Sequence, residues 1–283
     1  MTKHHSTLRV FAAVLLTACG GGGDSDSGQA AAGSNSGASP SDPGLSTTAP
    51  VTPATAGTVQ SLCNPLDYAY QAGNTLVMTT ANHGLVEGPG TTTAINRGMA
   101  SFEGRNAFET EVTIDAPPTN TTSRILSVVK TYSERTGSTE TTTYGEDAVY
   151  DSDTAQGHST LRAHVVQSPA LVDKRFGLKA GESVTLNWRE KHTSSGNIGS
   201  LAIGPLTQDV SFDQQVTFVG VETLTVPAGT FQTCHFEGKI ESTVSEWWLV
   251  GYPLQIKLIE RDAAGVVKQT IEAQSITVNG TRL

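Results

Sequence analysis

The sequence predicts an all-β protein: one antiparallel sheet, strongly curled into a half-barrel or open barrel, that follows a long N-terminal segment without a core. Runs of alternating apolar and polar residues recur along residues 59–283, turn-forming clusters separate them, and no convincing helical period intervenes. Charged residues make up only 16% of the chain, and Thr, Ser, Gly and Val are plentiful, a balance that favours strands and turns.

The first eighteen residues have the pattern of a bacterial signal peptide. Lys3 and Arg9 give a positive start, residues 10–16 form a short apolar run, and Leu16-Thr17-Ala18-Cys19 follows. That last motif resembles the lipobox of bacterial lipoproteins, which implies cleavage before Cys19 and acylation of this cysteine, with palmitate among the chains. An ordinary secretory peptide with a chance cysteine is the alternative. Several acyl chains, at about 0.8 kcal/mol per buried CH₂, would anchor the protein stably to a membrane.

Residues 19–58 follow as a tether rich in Gly, Ser, Ala, Pro and Thr. The segment has almost no bulky apolar residue, so burial cannot offset the entropy lost on ordering it. A flexible chain of about 40 residues has a root-mean-square span of roughly 35 Å. The sequence therefore predicts three parts, a signal peptide (1–18), a lipidated tether (19–58) and an all-β domain (59–283), in a lipid-anchored protein of the cell envelope. The outer membrane is the expected location, on its periplasmic or its surface face.

The charge balance excludes one class of partner. The formal net charge is -9, and removing residues 1–18 takes away two cations and no acid, which makes it -11. An acidic chain without a Lys/Arg cluster lacks the electrostatic footprint of a nucleic-acid-binding protein. The expected partners are the membrane, through the acyl chains, and an apolar ligand or an envelope protein; the oligomeric state is left open.

The remaining cysteines predict a disulfide. Export places the domain in an oxidising compartment, where Cys63 and Cys234 form an even pair once Cys19 is lipidated. A bridge would close a loop of about 170 residues, worth about 4–5 kcal/mol in the chain-entropy model. Two buried free thiols are the alternative. No cofactor is predicted, and no metal site.

Strands are predicted in chain order wherever alternation is clear, and the most specific turn among them is Val226-Pro227-Ala228-Gly229. Pro227 presets φ for a turn and Gly229 tolerates positive φ, so the runs on either side should form a hairpin that carries Cys234. Clusters such as Ser194-Ser195-Gly196-Asn197 are expected to be polar loops. The predicted strands are 75–80, 99–102, 108–114, 123–132, 140–144, 160–167, 183–190, 210–220, 221–226, 230–240, 244–250, 254–260 and 266–278.

Three segments, 177–183, 219–231 with its V-P-A-G-T-F core, and 246–253, resemble the ordered signature of a family of exported bacterial β-proteins of unknown function. The resemblance covers roughly residues 176–261, and Gly251-Tyr252-Pro253-Leu254 departs from the family pattern. It implies an antiparallel half-barrel like those of periplasmic lipoprotein carriers. It implies no activity and no site residues.

Aromatic residues are the weak candidates for a ligand site. Trp188, Trp247, Trp248 and Tyr252 could line an apolar cavity, although filling the core is the more ordinary role. Trp247 and Trp248 are consecutive, so in a strand they must point to opposite faces, one of them toward the core.

Catalytic and metal signals are weak. No nucleophile motif is present, and His158 and His164 lie about 20 Å apart along a continuous strand. Asp147, Asp151 and Asp153 lack the spacing of a calcium loop, and a solvated acidic turn is the alternative. The acids Glu222, Glu237, Glu241 and Glu246 lie on or near adjacent predicted strands, where two could form a hydrolytic pair.

The sequence therefore predicts a non-enzymatic lipoprotein whose concave sheet face binds an apolar ligand or a protein partner. A structural or adhesive surface module with a packed interior is the first alternative. A carboxylate-dependent hydrolase is the second.

Overall fold

The computed structural model describes residues 62–84, 87–118, 124–154 (only the backbone at Thr154), 157–240 and 242–283. The predicted signal peptide, Cys19 and the tether lie outside these residues. One helical turn, α1 (Leu66–Ala69), and one 3₁₀ turn (Arg175–Gly177) accompany the strands. The strands are β1 Thr75–Gly84, β2 Gly88–Phe102, β3 Arg105–Ala116, β4 Ile125–Arg135, β5 Thr141–Thr154, β6 Gly157–Asp173, β7 Ser183–Ile198, β8 Leu201–Val226, β9 Gly229–Lys239, β10 Thr243–Leu249, β11 Gln255–Arg261, β12 Val267–Val278 and β13 Thr281–Arg282.

Each strand pairs antiparallel with its sequence neighbours, and β1 also pairs with β12. The second pairing runs from Leu76 opposite Val278 to Gly84 opposite Gln269, so the first twelve strands form a closed barrel and β13 lies beside β12. The expected half-barrel or open barrel is therefore wrong in its degree of closure. Register shifts, which strengthen strand twist, interrupt eight of the pairs. Closure pairs β1 with β12, so that the two ends of the sheet are not left as free edges.

The predicted alternation is confirmed most clearly in β11, where Ile256, Leu258 and Glu260 are buried and the residues between them are not. Inward residues of neighbouring strands pair with one another, as Phe218 does with Phe236. Alternation thus separates a buried, mainly apolar inner face from a more exposed outer face in β9 and β11. The expected loop at Ser194–Asn197 is wrong, because these residues continue β7 and pair with β6. Cross-strand pairing outweighs their weak local strand propensity.

The core fills the end of the barrel at which the odd-numbered strands begin, called the plugged end below. Leu66 of α1 and Phe176 of the 3₁₀ turn pack there against Leu186, Phe218 and Phe236. A second buried cluster continues around the wall through β1, β11 and β12 and includes Met78, Ile256 and Ile276. Two short turns therefore close this end with apolar side chains.

The predicted cysteine pair meets in this core. The sulfur atoms of Cys63 and Cys234 lie at disulfide distance, with the Cα atoms 5.7 Å apart, within the usual range for a bridge. Both residues are buried. The pair ties the segment before α1 to β9.

The hairpin around Pro227 forms where the sequence predicts it. β8 ends at Val226, β9 begins at Gly229, and Gly229 has φ +146°, which favours glycine. The Ala228 amide donates to the carbonyl of Ala273, 3.0 Å away in β12. The turn thus contacts β12 just past Glu272, the last β12 residue that pairs with β11.

No helix within the described ranges has the length and apolar character needed to cross a membrane.

Candidate functional site

The outer wall of the barrel carries a row of interacting polar and aromatic side chains across five strands, called the outer row below. His235 lies between the buried Cys234 and Phe236 of β9, so alternation directs its ring outward. Cross-strand pairing places Trp247 opposite both His235 and Lys257, and Lys257 opposite Glu272. The outer row consists of Glu222, His235, Trp247, Lys257 and Glu272.

The side chains of the outer row are in contact from one end to the other. The rings of His235 and Trp247 stack with centroids 4.3 Å apart and an interplanar angle of 19°. Lys257 Nζ lies 5.7 Å from the Trp247 ring centroid and 2.8 Å from a carboxylate oxygen of Glu272. The indole Nε1–H of Trp247 donates to Glu222 Oε1. The indole is thus held on both faces and at its polar edge.

His235 has an incomplete set of hydrogen bonds. Its Nδ1 lies 3.5 Å from Glu222 Oε1, while Nε2 is buried and has no hydrogen-bond partner among the described residues. Burial lowers the pKa of this imidazole, against the opposing influence of the Glu222 and Glu237 carboxylates. Because burial outweighs the two carboxylates, the His235 imidazole is neutral at neutral pH.

A groove of about 640 Å³ lies along the outer row, at the parts of β9, β10 and β11 that are farthest from the plugged end. Its lining mixes both signs of charge with aromatic surface and hydroxyl groups. Such a surface suits a polar partner or ligand better than an apolar one. The lining residues are His235, Glu237, Lys239, Thr243, Ser245, Trp247, Arg261, Asp262, Ala263 and Gly265.

A second polar cluster lies on the outer wall around His164 of β6. Its Nδ1 lies 2.7 Å from Asp147 Oδ1 and its Nε2 lies 3.1 Å from Glu103 Oε1. The Tyr132 hydroxyl donates to the other Asp147 oxygen at 3.1 Å, and Phe102 stacks on Tyr132. The hydrogen bond to Asp147 raises the pKa of His164, and Glu103 adds to the effect. A smaller groove of about 370 Å³ borders this cluster.

The four aromatic candidates from the sequence lie in different environments. Trp188 is 3% exposed, stacks on Phe212 and belongs to the core of the plugged end. Trp248 packs against the same core, and Tyr252 meets Tyr68 edge-on beside the second cluster. Trp247 alone of the four faces outward, which confirms that the two consecutive tryptophans point to opposite faces. Three of the four therefore belong to, or pack against, the core clusters.

The interior also holds charged groups. Glu246 is buried beside Trp248, whose indole donates to it at 3.1 Å, and Arg175 Nη1 lies 3.4 Å from the same oxygen. Arg175 Nε lies 2.8 Å from Asp173. Arg175 and Glu246 are 71 positions apart, so only the fold brings them together.

A second buried carboxylate, Glu190 on β7, accepts from the Trp188 indole at 3.0 Å and lies 2.6 Å from His192 Nε2. Gln167 donates to the same Glu190 oxygen as the indole, at 3.3 Å. In both of these interior groups a tryptophan two positions away along the strand donates to the carboxylate. A Trp-x-Glu or Glu-x-Trp spacing inside a predicted strand is the signal that could have identified them.

The candidate carboxylates for hydrolysis are divided between the two faces of the wall. Glu246 points inward, and Glu222 and Glu237 lie outside, around His235. Glu241 lies outside the described residues. The wall therefore separates Glu246 from the other two, and only Glu222 with Glu237 remains as an outward pair.

The candidate metal ligands form hydrogen bonds or ion pairs with neighbouring side chains. His158 Nδ1 lies 3.0 Å from Asp153, and Asp151 accepts from Thr160, while His164 is held by Asp147. Across the described residues, no group of three or more His, Cys, Asp or Glu side chains is placed to hold a metal ion.

No family model and no curated protein matches this chain. A crystal structure of a "putative lipoprotein" from Parabacteroides distasonis aligns with 77% of this chain and 99% of its own, at 8% identity and with a TM-score of 0.29. A likeness with so low a TM-score supports no inference about this chain.

Proposed function

We propose that this protein is a lipid-anchored protein of the bacterial envelope whose barrel binds a protein partner on its outer surface and catalyses no reaction. The anchor is proposed from Leu16-Thr17-Ala18-Cys19 and the positive, apolar segment before it. The tether over 19–58 would let the barrel reach partners tens of ångströms from the membrane.

One observation carries the choice of surface: the aromatic residues that would line an internal ligand site are packed as core instead. Trp188 and Trp248 contact the buried cluster that α1 and the 3₁₀ turn complete, and Tyr252 contacts the second one. Binding a lipid-sized ligand there would require displacing side chains that stabilise the barrel. This favours the module with a packed interior, which the sequence put second, over binding of an apolar ligand or a protein partner on the concave sheet face, which it put first.

The outer row supports the same proposal. Trp247 is a large aromatic side chain on the outer wall, fixed by His235 and Lys257 beside a groove of about 640 Å³. Aromatic residues held rigidly at the centre of a polar patch are typical of binding hot spots, because little side-chain entropy is lost on contact. The mixed charges of the lining suit a polar protein surface.

Metabolic labelling tests the anchor. The full chain is expressed in a Gram-negative host fed with an alkyne analogue of palmitate, beside a Cys19→Ala variant. We expect label on the wild-type chain and none on the variant. An unlabelled wild-type chain released into the soluble envelope fraction would overturn the anchor.

Photo-crosslinking tests the binding surface. A photoreactive amino acid replaces Lys239 in the groove or, as a control, the exposed Thr185 on β7, in the full chain in cells of its source. We expect a discrete adduct from position 239 only, lost when Trp247→Ala is added. Equal adducts from both positions would refute the groove as the binding surface. A lipid-sized mass that co-purifies with the chain in native mass spectrometry would favour the carrier instead.

A further inference from the structure

One strand of the barrel extends far beyond its neighbour. β8 pairs with β7 over residues 201–217 and with β9 only over 215–226, so the two pairings overlap at residues 215–217. Along residues 201–214, called the β8 edge below, no strand of the described ranges lies on the β9 side. At about 3.3 Å per residue this edge is roughly 46 Å long.

The barrel treats two of its rim steps differently. At the plugged end, β7 pairs with β8 from Ser183 but with β6 only over 190–198, and the connection 174–182 joins β6 to β7 at that step. The corresponding step beside the β8 edge is bordered by the turn between β9 and β10 and has no such connection among the described residues. Proteins usually cover or shorten edges of this length, because they template strand addition.

The β8 edge presents two distinct faces to an added strand. On the inner face, Leu206 is 64% exposed, and Leu201 near the rim is 68% exposed. On the outer face, Asp209 and Asp213 are exposed, four positions apart. The inner face of an added strand would therefore meet apolar side chains, and its outer face would meet two carboxylates.

The charges along the edge favour a basic partner. Residues 201–214 contain two acids and no Lys or Arg, while β7 presents Arg189 and Lys191 on the other side of β8, opposite Ser211 and Asp209. A basic strand on the β9 side would continue this alternation. Opposite charges that face each other on neighbouring strands attract. The β7 cations lie two strands away from the new strand, at about a screening length, so they repel its basic residues only weakly.

We propose that the β8 edge binds an extended segment of a partner protein by strand addition, and that the segment alternates apolar residues with Lys or Arg. The inference rests on the proposed function, that the barrel binds a protein partner. It names a different surface from the groove and the chemistry of the segment. Backbone hydrogen bonds would supply affinity, and the alternating side chains specificity.

A second copy of the chain fits the edge poorly. Two β8 edges paired around a two-fold axis would bring Asp209 and Asp213 of one copy close to the same residues of the other. No cation within 201–214 could compensate them. Like charges opposed across strands destabilise a pair.

The test measures binding of a labelled peptide to the full-length chain in detergent micelles by fluorescence anisotropy. The probe is a short end-capped peptide that alternates valine with lysine. One control peptide has glutamate for lysine, and another has the same composition with valines and lysines grouped in pairs. We expect saturable binding of the alternating basic peptide only. Hydrogen exchange should slow over residues 201–214 when it binds.

Variants assign the binding to the edge. Asp209→Lys/Asp213→Lys should weaken binding at least about tenfold, and Leu206→Asn should also weaken it. The matched control, Glu87→Lys/Asp153→Lys, makes the same change in net charge at exposed sites elsewhere and should leave affinity unchanged. Circular dichroism and unfolding temperature verify that each variant folds.

Several results would overturn the inference. Binding weaker than about 1 mM, or equal loss in both double variants, would refute a specific basic strand site. A dimer with 201–214 already protected would make a second copy the occupant. Protection in the monomer that disappears when residues 20–61 are deleted would make the chain's own N-terminal segment the occupant. Binding lost only with Trp247→Ala would refute the edge and leave the proposed function standing.

Discussion

Replacing Arg175 with methionine is expected to destabilise the barrel in a strongly pH-dependent way. The guanidinium lies 2.8 Å from Asp173 and 3.4 Å from Glu246, and its side chain is 14% exposed. Methionine keeps most of the aliphatic length but removes the charge and the hydrogen bonds. The buried Glu246 and the partly buried Asp173 then remain without their cation.

Breaking a buried ion pair from one side costs about 3–5 kcal/mol, because the remaining charge stays desolvated. In a barrel of this size, each 1 kcal/mol lowers the unfolding temperature by roughly 2–4 °C. The Arg175→Met variant should therefore unfold roughly 6–20 °C below the wild type at neutral pH. Glu246 limits the loss by taking up a proton.

The pH dependence follows from Glu246. Burial raises its pKa, and Arg175 opposes that shift, so removing Arg175 raises the pKa further. A carboxyl whose pKa is higher in the folded state binds more protons there than in the unfolded chain. Stability then falls as pH rises above the unfolded-state value, by at most about 1.4 kcal/mol per pH unit for one group. The variant should be closer to the wild type at pH 5 than at pH 8.

Urea unfolding followed by tryptophan fluorescence at pH 5, 6.5 and 8 measures this. The matched control is Arg175→Met/Glu246→Gln, in which the amide oxygen still accepts from the Trp248 indole but carries no charge. The double variant should recover part of the lost free energy at pH 8 and little at pH 5. A deficit of equal size at all three pH values, or no recovery with glutamine, would refute the electrostatic reasoning.

Three further outcomes are expected. The pKa of His164 is raised, chiefly by Asp147, so the stability it contributes is present below pH about 6.5 and is lost as pH rises through the raised value; urea unfolding of His164→Gln should show a deficit at pH 6 that shrinks by pH 8, not a constant one. The Cys63→Ser/Cys234→Ser variant opens a loop with a sequence separation of 171 and should lose about 2–5 kcal/mol in urea, with an unchanged midpoint speaking against a bridge. Trp247→Ala uncovers His235, whose pKa burial lowers, so its NMR titration midpoint should rise while the barrel stays folded; an unmoved midpoint would mean that the indole does not desolvate the ring.

Local patterns in the sequence predict the wall of the barrel well. In β11 the alternation of Ile256 and Leu258 with polar neighbours is enough to assign both the strand and its inward face. The Pro227 turn is equally local, because Pro and Gly restrict the backbone within four residues. The inward and outward assignment of Trp248 and Trp247 needs only that they are consecutive residues of one strand.

Closure and the buried ion pairs depend on the whole chain. Nothing near Leu76 indicates that its partner on the second side is Val278, because strand pairing at that separation is decided by the number, twist and stagger of all the strands between them. Arg175 lies on a 3₁₀ turn whose sequence has no feature that distinguishes it from an ordinary loop. It forms an ion pair with Glu246 only because that turn packs beside β10. The groove around His235 has the same origin, since its lining comes from three strands and one turn.

The β8 edge follows from the way this barrel closes. A closed barrel needs its strands staggered, and two-residue turns leave little room to distribute the stagger between adjacent strands. Both connections of β8 are of this kind: residues 199–200 join it to β7, and 227–228 join it to β9. β8 is 26 residues long; its first part pairs with β7 and its last part pairs with β9. The step is therefore built from strand residues that β7 already pairs with, apart from the register shift that leaves Gly204 and Pro205 unpaired. An edge fixed on one side has its backbone groups in position before a partner arrives, so adding a strand would cost little conformational entropy in the barrel.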